Sequence, residues 1–348
     1  MKCYKYYVLL SFLVLSNLLV AQELFDFQIS FTHENDFLGI SNQDDNYTGG
    51  AQLELLLPEF NFPQPFFELE NGTNYQILAL GGTAYTPQDL LATEVVLNDR
   101  PYASLTYMIF GKLSIGEESK SLLNSQLIFG LTGWQGPGEA QYYIHDRGWF
   151  GTTRPNPRGW DNQIGFNGSF VVNYNILRMQ SFNLNYKDDL KTELFRPSWL
   201  IGGDFGNYMM NLEAGLYLNM LNINSFPVFG ANTGGTPILL RATETSGTPK
   251  KGTKGFRLHL FAEPKVRLVG YDTTLQGLLF NDNSPYTIDS GNINRIVLDF
   301  KAGVKLLLAN RFFIGYNHFL RTQEFKQGKN VHHWGGVTLG YTPLKSMK

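Results

Sequence analysis

Three stretches of this sequence concentrate side chains able to do chemistry. The first is Phe31 to Gly50, FTHENDFLGISNQDDNYTGG, where Glu34, Asn35, Asp36, Asn42, Gln43, Asp44, Asp45 and Asn46 crowd carboxylate and amide oxygens between two strand patterns. Hairpin connections usually run two to five residues, so an oversized polar one calls for a reason. Oxygen donors at this density suit a hard cation such as Ca²⁺, although no D-x-D-x-D-G run is present. A solvated loop with Asx turns is the plain alternative. The second stretch, Asn98-Asp99-Arg100-Pro101-Tyr102, offers charges that could pair with the first, or a simple turn into a strand. The third, Gly136 to Gln163 (GPGEAQYYIHDRGWFGTTRPNPRGWDNQ), holds His145 among Gly, Arg and Trp, where a water-activating base would need to sit.

Histidine is the commonest general base because its pKa lies near neutrality. The other candidates are placed less well. His259 and His318 fall inside strand patterns, His332 and His333 open the last strand, and His33 adjoins the acidic cluster. Arg147, Arg154 and Arg158 could grip phosphate or carboxylate groups bidentately, or brace the loop with ion pairs. No rival machinery is present: there is no G-x-S-x-G elbow, P-loop, G-x-G-x-x-G after a strand, or H-E-x-x-H.

The elements that must position these residues read as β-strands. The chain has 27 Phe, 18 Tyr and 36 Gly, with only 17% charged residues, a balance that points to an all-β protein. Residues 1–21 read as a secretory signal, with Lys2 and Lys5 ahead of an apolar run and Ala21 at the cleavage point. The remainder, 22–348, reads as one domain. The chain's only cysteine, Cys3, would leave with the signal, so disulfide and thiol chemistry are excluded from the remainder. Removing Lys2 and Lys5 from 28 basic residues, against 30 acidic ones, leaves a net charge near −4, which is no nucleic-acid footprint.

Alternation is clearest at 256–268. Phe256, Leu258, Leu260, Ala262, Val266 and Leu268 face one way, and Arg257, His259, Glu263, Lys265 and Arg267 the other. That pattern suits a transmembrane barrel with an apolar outside and a polar lumen, or a wetted face of a soluble sandwich. No segment after the signal has the 18 consecutive apolar residues of a helical span. About twelve strands are expected, near 24–33, 47–57, 74–85, 101–115, 122–133, 167–180, 195–204, 209–221, 255–270, 293–307, 311–324 and 332–342. An even count closes an antiparallel barrel, and with the N-terminus in the periplasm all three chemical stretches fall on the extracellular rim. Two connections, 58–73 and 222–254, are too long for periplasmic turns.

Taken together the three stretches resemble the outer-membrane lipid A deacylase family of LpxR type. The matching residues are Asn35-Asp36, Tyr47-Thr48-Gly49-Gly50, Tyr85-Thr86-Pro87, Asp99-Arg100-Pro101-Tyr102, then Gly136-Pro137, Gln141, His145, Trp160 and Gln163. The resemblance implies a twelve-stranded barrel in the bacterial outer membrane that removes the 3′-linked acyloxyacyl group of lipid A, with lipopolysaccharide of the outer leaflet as substrate. It implies Ca²⁺ dependence, His145 as the base that deprotonates water, and Asn35, Asp36 and Thr48 as its active-site partners, Asp36 helping to hold the cation. Arg100, Arg147, Arg154 and Arg158 are then expected to bind substrate, and Tyr47, Asp99, Trp160 and Gln163 to support the site. Two departures stand out. A Lys-Arg pair that family members can carry is absent from Asp89–Glu94, and where some have a Glu after the histidine this chain has Gly151 and Thr152, leaving Glu94, Glu139 or Asp146 as substitutes. A non-enzymatic barrel, such as a porin or lipid-binding protein on this scaffold, is the alternative function.

Overall fold

The computed structural model describes residues 27–39, 46–60, 63–116, 121–148, 155–182, 192–223, 257–281, 283–309 and 311–341. The expected signal at 1–21, Asn42 to Asp45, Gly151, Thr152, Arg154 and most of 181–194 and 222–254 lie outside the described residues. Twelve strands form a closed antiparallel barrel: β1 (Gln28–Asn35), β2 (Asn46–Pro58), β3 (Thr73–Thr86), β4 (Ala103–Gly116), β5 (Ser121–Thr132), β6 (Ser169–Ser181), β7 (Thr192–Gly206), β8 (Met209–Ile223), β9 (Arg257–Asp272), β10 (Ile296–Leu308), β11 (Phe312–Thr322) and β12 (Val331–Tyr341). Each strand pairs with its sequence neighbours, and β1 closes the ring on β12 from Ile29↔Tyr341 to Asn35↔Gly335. Closure leaves no unpaired sheet edge, which the hydrocarbon interior of a membrane requires.

The period-2 pattern decides what faces where. Along β9, Arg257, His259, Glu263 and Arg267 are buried, while Val266 and Leu268 are exposed on the outer wall. The inward ionisable groups pair across strands. Lys265 meets Glu213 at 3.0 Å and Glu263 at 3.5 Å, and Asp299 bridges Arg267 at 3.0 Å and Arg321 at 2.6 Å. Glu324 joins Arg321 to Arg100 at 3.2 and 2.6 Å. One side of the lumen thus holds an interlocked ion-pair network, and the other an apolar core that includes Leu105, Ile109, Leu113, Ile128 and Leu177. The expected strands are present within a few residues of their expected ends.

One end of the barrel, here the upper, bears the connections that follow β1, β3, β5, β7, β9 and β11. The β5–β6 connection contains an eleven-residue helix, α1 (Gly136–Asp146). Expected as loop, it forms because Pro137 occupies the first turn, where its missing N–H costs nothing.

Candidate functional site

The strand β1 runs two residues further than its sequence pattern suggests, and this separates the acidic cluster. Glu34 faces the lumen, fully buried, where it accepts a hydrogen bond of 3.1 Å from the Tyr47 hydroxyl. Asn35 faces the outer wall with His33 and Phe31. Its side-chain oxygen accepts from the Phe37 backbone N–H at 3.0 Å, capping a short 3₁₀ turn, Asp36–Leu38. With the oxygen so occupied, the amide nitrogen is turned toward Gly49. The 3₁₀ turn lies across the outside of β12, where a Cβ at Gly335 would come within 2.2 Å of the Leu38 carbonyl. The Tyr316 hydroxyl donates to that same carbonyl at 2.8 Å. Asp36, only 1% exposed, is buried in this turn.

Across from Asn35, β2 carries a bulge. Tyr47 pairs with Tyr85 and Gly49 with Ala84, so Thr48 has no partner in the ladder. A bulge re-aims a side chain that strict alternation would send elsewhere. Here Tyr47 points inward, its ring 5.4 Å from Tyr85 and 5.2 Å from Trp334, while Thr48 turns outward. Its hydroxyl meets that of Thr86 at 2.6 Å. The two glycines that follow make room on opposite faces. A Cβ on Gly49 would come within 3.0 Å of the Asn35 amide nitrogen, and one on Gly50 within 2.5 Å of the Tyr47 hydroxyl.

The helix α1 covers this wall from the other side. Pro137, Ala140, Gln141, Ile144 and His145 share one helical face at three- and four-residue spacing. Trp160 fixes the helix: a Cβ on Gly138 would sit 2.6 Å from its ring, and its Nε1 donates to the Gln141 side-chain oxygen at 2.9 Å. Tyr102 packs on Trp160 at 4.9 Å between ring centroids. Below it, Ser104 donates to the Gln163 side-chain oxygen at 2.9 Å, and Trp134 donates to the Thr106 hydroxyl at 2.9 Å. His145 Nδ1 lies 2.8 Å from the Pro155 carbonyl. A carbonyl can only accept, so Nδ1 carries a proton, and in the neutral imidazole the lone pair is on Nε2.

A cavity of about 1260 Å³ lies between α1 and the wall of β1–β6, lined by Asn35, Thr48, Gln141 and His145 among its residues. Its lower part is apolar and exposed: Phe31, Leu80, Met108, Phe129 and Val172. Asn35, Thr48 and His145, which are far apart in sequence, thus meet on one surface. That surface is the outer wall just under the upper rim, not the rim opening itself.

The other expected residues are elsewhere. Asp36 is beside Asn35 but does not line the cavity. Arg100 is 1% exposed inside the barrel, bonded to Glu324 and Thr274 at 2.6 Å each, with its guanidinium 4.3 Å from the Tyr85 ring centroid. It is not presented to the cavity, because its polar partners all lie in the lumen. Asp99 accepts from the Gln88 and Arg100 backbone N–H groups and serves the turn. Arg147, over the Tyr143 ring, and Arg158 are exposed and outside the cavity lining. Glu94, Glu139 and Asp146 are exposed and likewise outside it. Tyr47, Trp160 and Gln163 hold the site's walls without entering it. Sequence reasoning passed over Thr86 and the Pro155 carbonyl; the Tyr85-Thr86-Pro87 motif carried the signal for the first.

Among the described residues no group of three or more His, Cys, Asp or Glu side chains is placed to hold a metal ion. Oxygen-bearing side chains are nonetheless close by: the Thr48 hydroxyl in the cavity lining, the Asn35 amide whose oxygen already accepts from Phe37, and the Asp36 carboxylate beside the cavity. Such a set fits a hard cation rather than zinc, with a single carboxylate and hence modest affinity.

No curated protein compared with the chain matches it. The solved structure of LpxR from Salmonella typhimurium matches with a TM-score of 0.65 at 16% identity, over 90% of this chain and 99% of that one. The translocator domain of the autotransporter NalP from Neisseria meningitidis matches at TM-score 0.42 and 11% identity, over 97% of this chain and 96% of that one. The family model described as "Outer membrane protein LpxR" matches residues 8–342. The barrel is an outer-membrane barrel, and the chain belongs to the LpxR family.

Proposed function

We propose that the protein is a lipid A deacylase that hydrolyses the ester of the 3′-linked acyloxyacyl group from the outer leaflet. Membership of the LpxR family supports the reaction class. The observation that carries the chemistry is the meeting of His145, Asn35 and Thr48 in one cavity on the lipid-facing wall. A substrate embedded in the membrane reaches this wall sideways, without entering the lumen.

His145 Nε2 takes a proton from water, and the hydroxide formed attacks the ester carbonyl carbon. The charge that develops on the carbonyl oxygen is met by the Asn35 amide N–H and the Thr48 hydroxyl, donors held in place before the reaction begins. As the tetrahedral species collapses, protonated His145 returns its proton to the departing sugar oxygen, leaving a free carboxylic acid and an alcohol. The Pro155 carbonyl holds the imidazole in one tautomer throughout. Ca²⁺, when bound through Asp36 and its neighbours, would add electrostatic stabilisation of the oxyanion.

Protein reconstituted in vesicles containing lipid A and Ca²⁺ should release the acyloxyacyl group, seen as its mass loss from lipid A. No release, where a characterised deacylase works, would sink this reading. A chelator titration in parallel decides the cation requirement.

A further inference from the structure

The connection from β2 to β3, residues 59–72, is far longer than a barrel turn at that end needs. Its described residues, 59–60 and 63–72, lie as a strap against the outer wall of β3–β6. Its backbone N–H groups are met by serines on that wall: Phe67 donates to Ser125 Oγ at 3.2 Å and Leu69 to Ser114 Oγ at 2.9 Å. Gly72 permits the close approach, since a Cβ there would lie 2.5 Å from Ser114 Oγ. Lys112, an outward residue with an otherwise costly charge, is bound by Glu59 at 2.5 Å and Glu68 at 2.6 Å. Asn74 donates to the same two carboxylates at 3.1 and 3.2 Å. Irregular backbone is tolerated against a membrane-facing wall only when its polar groups are satisfied in this way.

The strap begins where the cavity ends. On β4 the lowest lining residue is Met108, and the next outward residue, Phe110, meets Phe66 at 5.2 Å between ring centroids. On β6 the lowest is Val172, and the next, Tyr174, meets Phe67 at 6.4 Å and donates to the Pro65 carbonyl at 3.3 Å. From the uppermost lining residues, Thr106 and Phe170, to these contacts is four residues on each strand, roughly 14 Å along the strand. The hydrocarbon core is about 30 Å thick, so the apolar run spans about one leaflet. Phe66 is buried against the wall, whereas Phe67, beside Tyr174, is 61% exposed.

We propose that the strap is the floor of an acyl-chain groove, with Phe66 and Phe67 stopping the substrate's acyl chain and selecting chains by length. The proposal rests on the hydrolase reading for its substrate and adds a specificity device to it. The groove takes one saturated acyl chain of the ester being cleaved. Its wall offers apolar contact along Leu80, Met108 and Phe129, and on β4 no polar side chain faces it between Thr106 and Phe110.

The test uses the full-length protein in phosphatidylcholine vesicles carrying lipid A analogues whose 3′-linked chains differ in length. Products are resolved by mass. Phe66→Ala and Phe67→Ala should each raise the long-to-short ratio of kcat/KM about tenfold. Circular dichroism and resistance to heat denaturation report whether each variant is a folded barrel, and the exposed Phe67 keeps the test usable if Phe66→Ala fails to fold. A wild-type enzyme that cleaves all lengths, with variants that change every length alike, overturns the strap's role and leaves the hydrolase standing. Absence of hydrolysis by the wild-type protein overturns the hydrolase reading instead. The groove is then read from Phe66→Trp, whose fluorescence should be quenched by lipids brominated near the chain end more than near the carboxyl. Equal quenching from both positions overturns the groove.

Discussion

The two faces of this barrel use charge in opposite ways. The lumen collects many of the ionisable groups, and those on β8–β11 pair across strands within a filled interior, as in Lys265–Glu213 and Arg321–Asp299. The outer wall beneath α1 is nearly free of charge and carries an amide, a hydroxyl and an imidazole above an apolar surface. Density of titratable residues therefore marks the structural side of the wall, and the chemistry lies where few such groups are held in fixed orientation. A porin reading fits the first face poorly, because its inward side chains lock together across the interior.

The largest expected effect tests the outer face. His145→Ala should lower kcat about 10²–10⁴-fold with the barrel intact, the usual contribution of a general base; equal activity would remove the imidazole from the mechanism. The next tests the lumen. Arg100→Ala leaves Glu324 buried without one cation and should lower unfolding free energy by about 3–5 kcal/mol, measured by denaturant titration of the refolded barrel. Activity per folded molecule should change little, and a selective loss of activity would restore Arg100 to substrate binding.

Acid should separate the faces further. Burial alone would raise the Glu324 carboxyl, but Arg100 and Arg321 outweigh it and hold it at about 2, below its ordinary 4.5. A depressed folded pKa stabilises above the unfolded value, so this contribution should be complete above about pH 4.5 and fade as pH falls toward 2. Unfolding midpoints across that window, in wild type and Glu324→Gln, would show it. Thr48→Val should cost about 3–10-fold in kcat, the worth of one hydrogen bond, and lower unfolding free energy by about 1 kcal/mol through the lost bond to Thr86. The smallest effect is expected for Arg147→Ala and Arg158→Ala, both exposed and away from the cavity. About twofold or less in kcat/KM fits that placement, and a larger loss would put them in contact with a lipid headgroup.

Much of the barrel was legible because strand alternation has one period and one consequence. Arg257 to Arg267 read as a polar face and are one, and twelve strands close as counted. The site was legible in residue types and not in placement. Glu34 and Asn35 are neighbours that face opposite sides of the sheet, and no local pattern says where a strand stops. The bulge at Thr48 breaks alternation by a single residue, which sequence spacing conceals. Arg100 enters the lumen rather than the cavity because its partners, Glu324 and Thr274, are more than 170 residues away. The helix α1 was hidden by Gly136 and Gly138, poor helix formers kept for their clearance from Trp134 and Trp160. Gln141 and His145, four apart, were its trace.

The bulge at Thr48 has a genetic side. One codon separates a hairpin whose outer face is bland from one that presents a hydroxyl beside Asn35. Deleting it would restore regular pairing of β2 with β3 and leave the other eleven strands, their registers and the ring's closure as they stand. A barrel wall can thus gain or lose a reactive group by the smallest possible change in length, without renegotiating the fold that carries it.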